Sequence, residues 1–212
     1  MHHLEQLEQR IALTAQAITD VAVDVADVQT EQVEVTTLLQ DTNQASGVKY
    51  VQDNYGFDGE GQTVAVIDSG IAWDHYALGG GYGEGYQVVG GWDFAENDAN
   101  PYDDGPSGYH GTHVSGIIGS NDSVHKGVAA GTDLVALRVF DDYGRSNFSW
   151  IEDALRWVHE HKDDYTNPIT TVNLSLGVNW NSDNVPQWAQ LEDEFALLKA
   201  DGIFVSVAAG NS

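Results

Sequence analysis

The segment Gly61-Gln62-Thr63-Val64-Ala65-Val66-Ile67-Asp68-Ser69-Gly70 is a short apolar run held between glycines and closed by a carboxylate. Such a run, rich in β-branched residues and without polar alternation, predicts a strand buried on both faces. Asp68 then falls at the carboxyl end of that strand. The same signal recurs further along, in Leu134-Val135-Ala136-Leu137-Arg138-Val139, Thr171-Val172-Asn173-Leu174 and Ile203-Phe204-Val205-Ser206-Val207. Helical spacing lies between these runs. Ile151, Ala154, Leu155 and Val158 follow i, i+3, i+4 and i+7, and Ser149 with Glu152 reads as a capping box ahead of them. A further helix is expected over Trp188 to Ala200, with Gly202 as its stop signal. Strand–helix–strand alternation predicts an α/β fold, a doubly wound, mostly parallel sheet with helices on both faces. Active sites in such sheets lie at the carboxyl ends of the strands.

Charge narrows the function. The 212-residue chain carries 33 acidic and 8 basic residues, a formal net charge of −25. A surface this negative is repelled by phosphate backbones, which argues against a nucleic-acid partner. The same excess suits an extracellular or salty setting, or serves solubility alone. An apolar fraction of 42% is enough for a buried core. The chain has no cysteine, so disulfides, a thiol nucleophile and a thiolate zinc site are excluded. No apolar run approaches the about 18 residues of a membrane span. The opening Met1-His2-His3-Leu4-Glu5 lacks the basic and apolar regions of a secretory signal.

A change of texture near residue 45 predicts a boundary. Residues 1–45 hold no glycine, proline or aromatic residue, and all 23 glycines follow. Steps of seven from Leu4 reach Ile11, Ile18, Val25, Gln32 and Leu39, and steps of seven from Leu7 reach Thr14, Val21, Val28 and Val35, so that nine of these eleven positions are apolar. That is an a/d seam, which points to self-association through residues 4–39 or to a helix docking on the rest of the chain. The many Val and Thr residues equally fit a short, loosely structured pro-segment. Residues 46–212 form the chemistry-bearing part.

Three positions there attract attention. Asp68 sits at a strand end, where an aspartate is otherwise a turn or cap residue. His110 opens Tyr109-His110-Gly111-Thr112-His113-Val114-Ser115-Gly116, whose small residues let a helix begin close to a neighbouring backbone. His110 and His113 also have the spacing of a metal pair on one helical turn, but no third nitrogen ligand is placed for zinc. Asn211 ends Ala208-Ala209-Gly210-Asn211, a strand running into a glycine turn, and its amide has the chemistry to donate to an oxyanion or merely to its own turn.

Taken together and in chain order, Val64–Ile71, His110–Gly116, Ser175-Leu176-Gly177 and Ala208–Asn211 resemble the catalytic domain of the subtilisin-like serine proteases, the subtilases, over roughly residues 48–212. The resemblance implies a serine endopeptidase with an Asp-His-Ser triad. In it Asp68 orients His110, His110 serves as general base and then general acid, and Asn211 donates to the oxyanion. It further implies that an extended peptide or protein substrate pairs with two backbone edges, Gly144-Arg145-Ser146 and Ser175-Leu176-Gly177. Phe148 and Ile151 match an apolar subsite, and Gly177 with Gly210 match part of an open specificity pocket. Arg145 replaces a small residue of the family and is expected to favour acidic substrates nearby.

The resemblance also implies a structural calcium ion. The loop Asp93-Phe94-Ala95-Glu96-Asn97-Asp98-Ala99-Asn100-Pro101 places hard oxygens at close spacing, with Asp93 and Asp98 as the expected ligands and Asp103 and Asp104 nearby. The alternative is a solvated acidic loop. The family's usual calcium loop corresponds to Asn121-Asp122-Ser123-Val124-His125-Lys126, which is short and carries a lysine. The nucleophile of the family lies in a Gly-Thr-Ser-Met-type turn downstream of the asparagine, whereas Ser212 directly follows Asn211. The expectation is therefore a domain incomplete at its C-terminus and inactive as this chain alone. The competing expectation is a truncated or inactive relative acting as a peptide-binding or surface-assembly module.

Overall fold

The structure, a computed structural model, describes residues 38–105, 108–177 and 190–210. The chain divides into two compact units, residues 1–35 and 36–212; only the second holds described residues, so the heptad pattern, apart from Leu39, lies outside them. Five strands, β1 (Thr63–Asp68), β2 (Val88–Asp93), β3 (Asp133–Arg138), β4 (Ile169–Leu174) and β5 (Phe204–Val207), form one sheet in the order β2-β3-β1-β4-β5. Every neighbouring pair is parallel. Among the described residues five α-helices accompany them: α1 (Leu38–Ala45), α2 (Val48–Tyr55), α3 (His110–Gly119), α4 (Phe148–His161) and α5 (Glu192–Ala200).

Alternation along β1 and β3 builds two cores. Ala65, Ile67, Val135 and Leu137 point to one face, where Ile151, Ala154, Leu155 and Val158 of α4 and Leu198 of α5 cover them. Val66, Leu134 and Ala136 point to the other face and meet Val114 and Ile118 of α3. Successive residues of a strand serve opposite faces, so a continuous apolar run is what a sheet covered on both sides requires. Each fully buried Ile or Leu contributes about 1.5–3 kcal/mol relative to exposure. The α/β, doubly wound expectation therefore holds. Chain order places the switch point at β1: the chain runs through β2 and β3 on one side of it, then crosses to β4 and β5 on the other.

Strand β2 escaped the sequence reading because Gly90 and Gly91 interrupt its apolar run. Both glycines are required by close approach. A Cβ on Gly91 would sit 1.8 Å from the Ala136 carbonyl oxygen, and one on Gly90 would sit 2.5 Å from the Tyr165 hydroxyl. Burial pushes that Tyr165 phenol up to about 12. Helices α1 and α2, on either side of the boundary expected near residue 45, were also not foreseen. Gln40 Nε2 donates to the Val124 carbonyl at 2.7 Å and Gln52 Nε2 to the Val128 carbonyl at 2.8 Å.

Two helix starts differ from expectation. Helix α4 is capped by Asn147, whose side-chain oxygen accepts from the Ser149 amide at 3.1 Å, so Ser149 lies inside the helix and is not its cap. Asparagine outranks serine in no strict order here; the extended backbone of Asn147 (φ −130°, ψ 139°) decides, since a cap residue is non-helical. Helix α5 begins at Glu192, later than expected. Gly202, at φ +78°, does end it. Replacing Asn147 by Ala is expected to lower stability by about 1 kcal/mol, whereas Ser149→Ala stays within about 0.5 kcal/mol. Urea unfolding of the two variants checks this, and the reverse ranking would return the cap to Ser149.

Candidate active site

Helix α3 starts on top of the carboxyl end of β1. A Cβ on Gly111 would meet the Gly70 carbonyl oxygen at 2.2 Å and the Asp68 Cβ at 3.1 Å. Only glycine lets the first turn of α3 lie that close. Gly70 itself holds φ +105°, turning the chain sharply away behind Ser69. The consequence is that His110, first residue of α3, stands over Asp68. Its Nδ1 lies 2.7 Å from Asp68 Oδ1. Asp68 is 1% exposed, while the His110 side chain is 54% exposed. The Ser69 amide donates to the same Oδ1 at 2.7 Å. A carboxylate against Nδ1 holds the imidazole proton there and leaves the Nε2 lone pair free for proton transfer.

A second carboxylate locks this arrangement. Asp103 is buried, and its Oδ1 accepts from the Ser69 hydroxyl at 2.9 Å. Its Oδ2 accepts from both the amide, at 2.9 Å, and the hydroxyl of Thr112. The Ser69 hydroxyl in turn accepts from the Gly111 amide at 2.9 Å, and the Thr112 hydroxyl from the Ala72 amide at 2.9 Å. Asp103 thus ties the residues following each member of the Asp68–His110 pair to one another.

A cleft of about 280 Å³ opens beside the pair. Gly144, Ser175, Leu176 and Gly177 line it together with Asp68 and His110. An adjoining apolar pocket of about 180 Å³ is lined by Ser146, Phe148, Ile151, Leu176 and Gly177, together with Phe140 and Phe195. The structure therefore brings the two expected edges and the expected apolar subsite to one place. Gly210, at φ +90°, lines neither cavity. Asn211 lies outside the described residues.

Residues 59–212 match the family model described as the Subtilase family. This chain belongs to the subtilases. It is 36% identical over 158 residues to Subtilisin E of Bacillus subtilis (strain 168), an alignment that covers 74% of this chain and 36% of that protein. It is 32% identical over 163 residues to the Minor extracellular protease Vpr of the same organism, covering 74% of this chain and 18% of Vpr. The crystal structure of a cold adapted subtilisin-like serine proteinase superposes with a TM-score of 0.56 at 33% identity, over 75% of this chain and 50% of that one. The subtilase chain described here therefore spans well under two thirds of the length of these relatives.

Charged residues named from the sequence have partners within this subtilase. Arg145 is exposed but clasped by a neighbouring carboxylate. Its Nε and Nη2 both bind Asp141 Oδ2, at 2.9 and 2.8 Å, and its guanidinium lies 4.9 Å from the Tyr143 ring centre. The expected calcium ligands Asp93 and Asp98 both have partners within the chain. Asp93 is fully buried; its Oδ1 accepts from the Ala95 and Glu96 amides, and its Oδ2 pairs with Arg138 Nη1 at 2.8 Å. A calcium ion there would have to compete with a buried guanidinium. Asp98 Oδ1 accepts from the Asn100 amide. Among the described residues, no group of three or more His, Asp or Glu side chains is placed to hold a metal ion. Asp122, in the shortened loop, binds the amides of Val124 and His125, which hold its carboxyl below the ordinary range.

Sequence reasoning missed the parts played by Asp103 and Arg138. Asp103 was visible only as one acid among several. Burial pushes its carboxyl up, against the hydrogen bonds from Thr112 and Ser69 that lower it. A carboxyl raised in the folded state binds its proton more tightly there than in the unfolded chain. Its contribution to stability is complete below the ordinary value of 3.8 and is lost as pH rises through the folded value. Asp103→Asn, which does not titrate, is therefore expected to give a flatter stability–pH curve from 3.8 upward. Urea midpoints across that range check it, and parallel curves for the two proteins would refute the assignment.

Proposed function

We propose that this chain carries the Asp–His part of a serine endopeptidase that hydrolyses peptide bonds through an acyl-enzyme. The observation that carries the reading is the 2.7 Å contact between buried Asp68 and Nδ1 of half-exposed His110, at the floor of a cleft with two backbone edges. In this reading His110 Nε2 takes the proton of a serine hydroxyl as its oxygen attacks the scissile carbonyl carbon. Asp68 remains ionised and stabilises the imidazolium. His110 then gives the proton to the leaving amine as the C–N bond breaks. A water molecule, deprotonated by the same nitrogen, splits the acyl ester and restores the serine. Asn211 donates to the oxyanion of each tetrahedral intermediate.

The nucleophilic serine is assigned to the part of the subtilase domain that the 212 residues do not span. The substrate is an extended peptide or protein segment, paired with Gly144-Arg145-Ser146 on one side and Ser175-Leu176-Gly177 on the other. Its apolar side chains enter the pocket of Phe148 and Ile151. An extracellular or cell-surface location fits the net charge of −25 and the similarity to an extracellular relative. Among the described residues no helix is long and apolar enough to cross a membrane.

The test is to treat the native protein with a serine-directed fluorophosphonate and to map the labelled peptide by mass spectrometry. Labelling of a serine beyond residue 212, with peptide hydrolysis reduced by about 10⁶-fold in His110→Ala, is the expected result. A native protein that takes no label would replace the enzyme by a peptide-binding or surface-assembly module.

A further inference from the structure

Arg138 ends β3 and pairs in register with Asp68 at the end of β1 and Asp93 at the end of β2. It is 2% exposed, yet its guanidinium reaches three segments around the cleft. Nη1 binds Asp93 Oδ2 at 2.8 Å and Asp104 Oδ1 at 3.1 Å; Asp104 belongs to the stretch leading to His110. Nη2 binds Asp142 Oδ1 at 2.6 Å, and Nε donates to the Phe140 carbonyl at 3.0 Å. Asp142 lies in the turn of a small hairpin. Phe140 and Ser146 bridge its arms, Asp141 donates to the Arg145 carbonyl, and Gly144 donates to the Asp141 carbonyl. The outer arm of that hairpin is the substrate edge Gly144-Arg145-Ser146.

The hairpin's turn is open to water: Tyr143 is 74% exposed and the Arg145 side chain 71%. Its bonds to itself fix its shape but not its distance from His110. The guanidinium supplies that. Gly105, next to Asp104, is pressed against the same turn, since a Cβ there would lie 2.9 Å from the Asp142 Cα. A planar fork of five donors serves three carboxylates and a carbonyl in fixed directions, which the single point charge of a lysine does not.

We propose that Arg138 is a positioning residue that sets the distance of the Gly144-Arg145-Ser146 edge from His110, so that its ion pair with Asp142 governs peptide binding and leaves the chemical step unchanged. This rests on the protease reading above, but its structural half is measurable without activity.

Removing Arg138 outright leaves Asp93 buried and unpaired, so the informative variants are milder: Asp142→Ala, which severs only the hairpin arm, and Arg138→Lys. Amide hydrogen exchange is followed over residues 140–148 in the full-length protein, and KM and kcat are measured on an extended peptide substrate. Exchange in that segment is expected to quicken about tenfold in both variants, with β4 and α5 unchanged. KM is expected to rise about five- to tenfold while kcat stays within about twofold, the scale of one charge-assisted hydrogen bond. Unchanged exchange over 140–148 overturns the proposal, as does a fall in kcat at constant KM. If the native protein takes no fluorophosphonate label, the protease reading fails separately, and exchange alone decides whether Arg138 holds the edge.

Discussion

At Gly111 the first turn of α3 rests on the Gly70 carbonyl with no room for a methyl group. Most of the site follows from that one contact. It brings an imidazole carried by a helix onto a carboxylate carried by a strand, although the two residues lie 42 positions apart. It also buries the Ser69 hydroxyl and the first amides of α3, which then need acceptors. Asp103 and the Ser69 hydroxyl provide them. The geometry of the pair is therefore over-determined by sterics on one side and by hydrogen bonding on the other. A reactive pair needs that kind of support, because a 1 Å displacement of a catalytic group is felt in the rate.

The few cations of this acidic chain are placed where they join loops. Arg138 is buried among carboxylates from three segments, and Arg145 clasps Asp141 within its own hairpin. Arg156 of α4 binds Glu152 on the same helix and Glu194 on α5. Exposed pairs of this kind contribute little individually. A buried guanidinium differs, since losing one partner strands the other charge in a poor solvent. Beside the cleft a single buried cation thus gathers three carboxylates.

How far the sequence was legible follows from the type of signal each element carries. β1 and β3 were readable because strands buried on both faces are continuous apolar runs; β4 and β5 carry the same signal in sequence, although Phe204 and Val207 of β5 are exposed. β2 was not, because its glycines answer to Ala136 and Tyr165, which no local pattern reveals. The ends of α4 and α5 shifted because a cap is chosen by backbone geometry that several polar residues satisfy. Asp68 and His110 were legible as members of a motif, and their edges as backbone segments around it. Arg138 closed an apolar run and so read as the end of a strand. The pairing of Asp93 with Arg138 was not legible, because the two lie 45 residues apart in sequence. Spacing shows which oxygens are close along the chain; it does not show which cation they meet.

The strand order has a consequence for how the molecule is made. The central strand β1 is synthesised before both of its neighbours, and Val64 waits for Leu134 on one side and Thr171 on the other. Until those arrive, the most apolar segment of the sheet has unpaired edges and uncovered faces. Such non-local parallel pairing folds slowly and leaves sticky intermediates exposed. Asp68 is delivered early but gains its partner only when α3 docks, so the chemistry of the site emerges as a late product of folding rather than a local property of its residues.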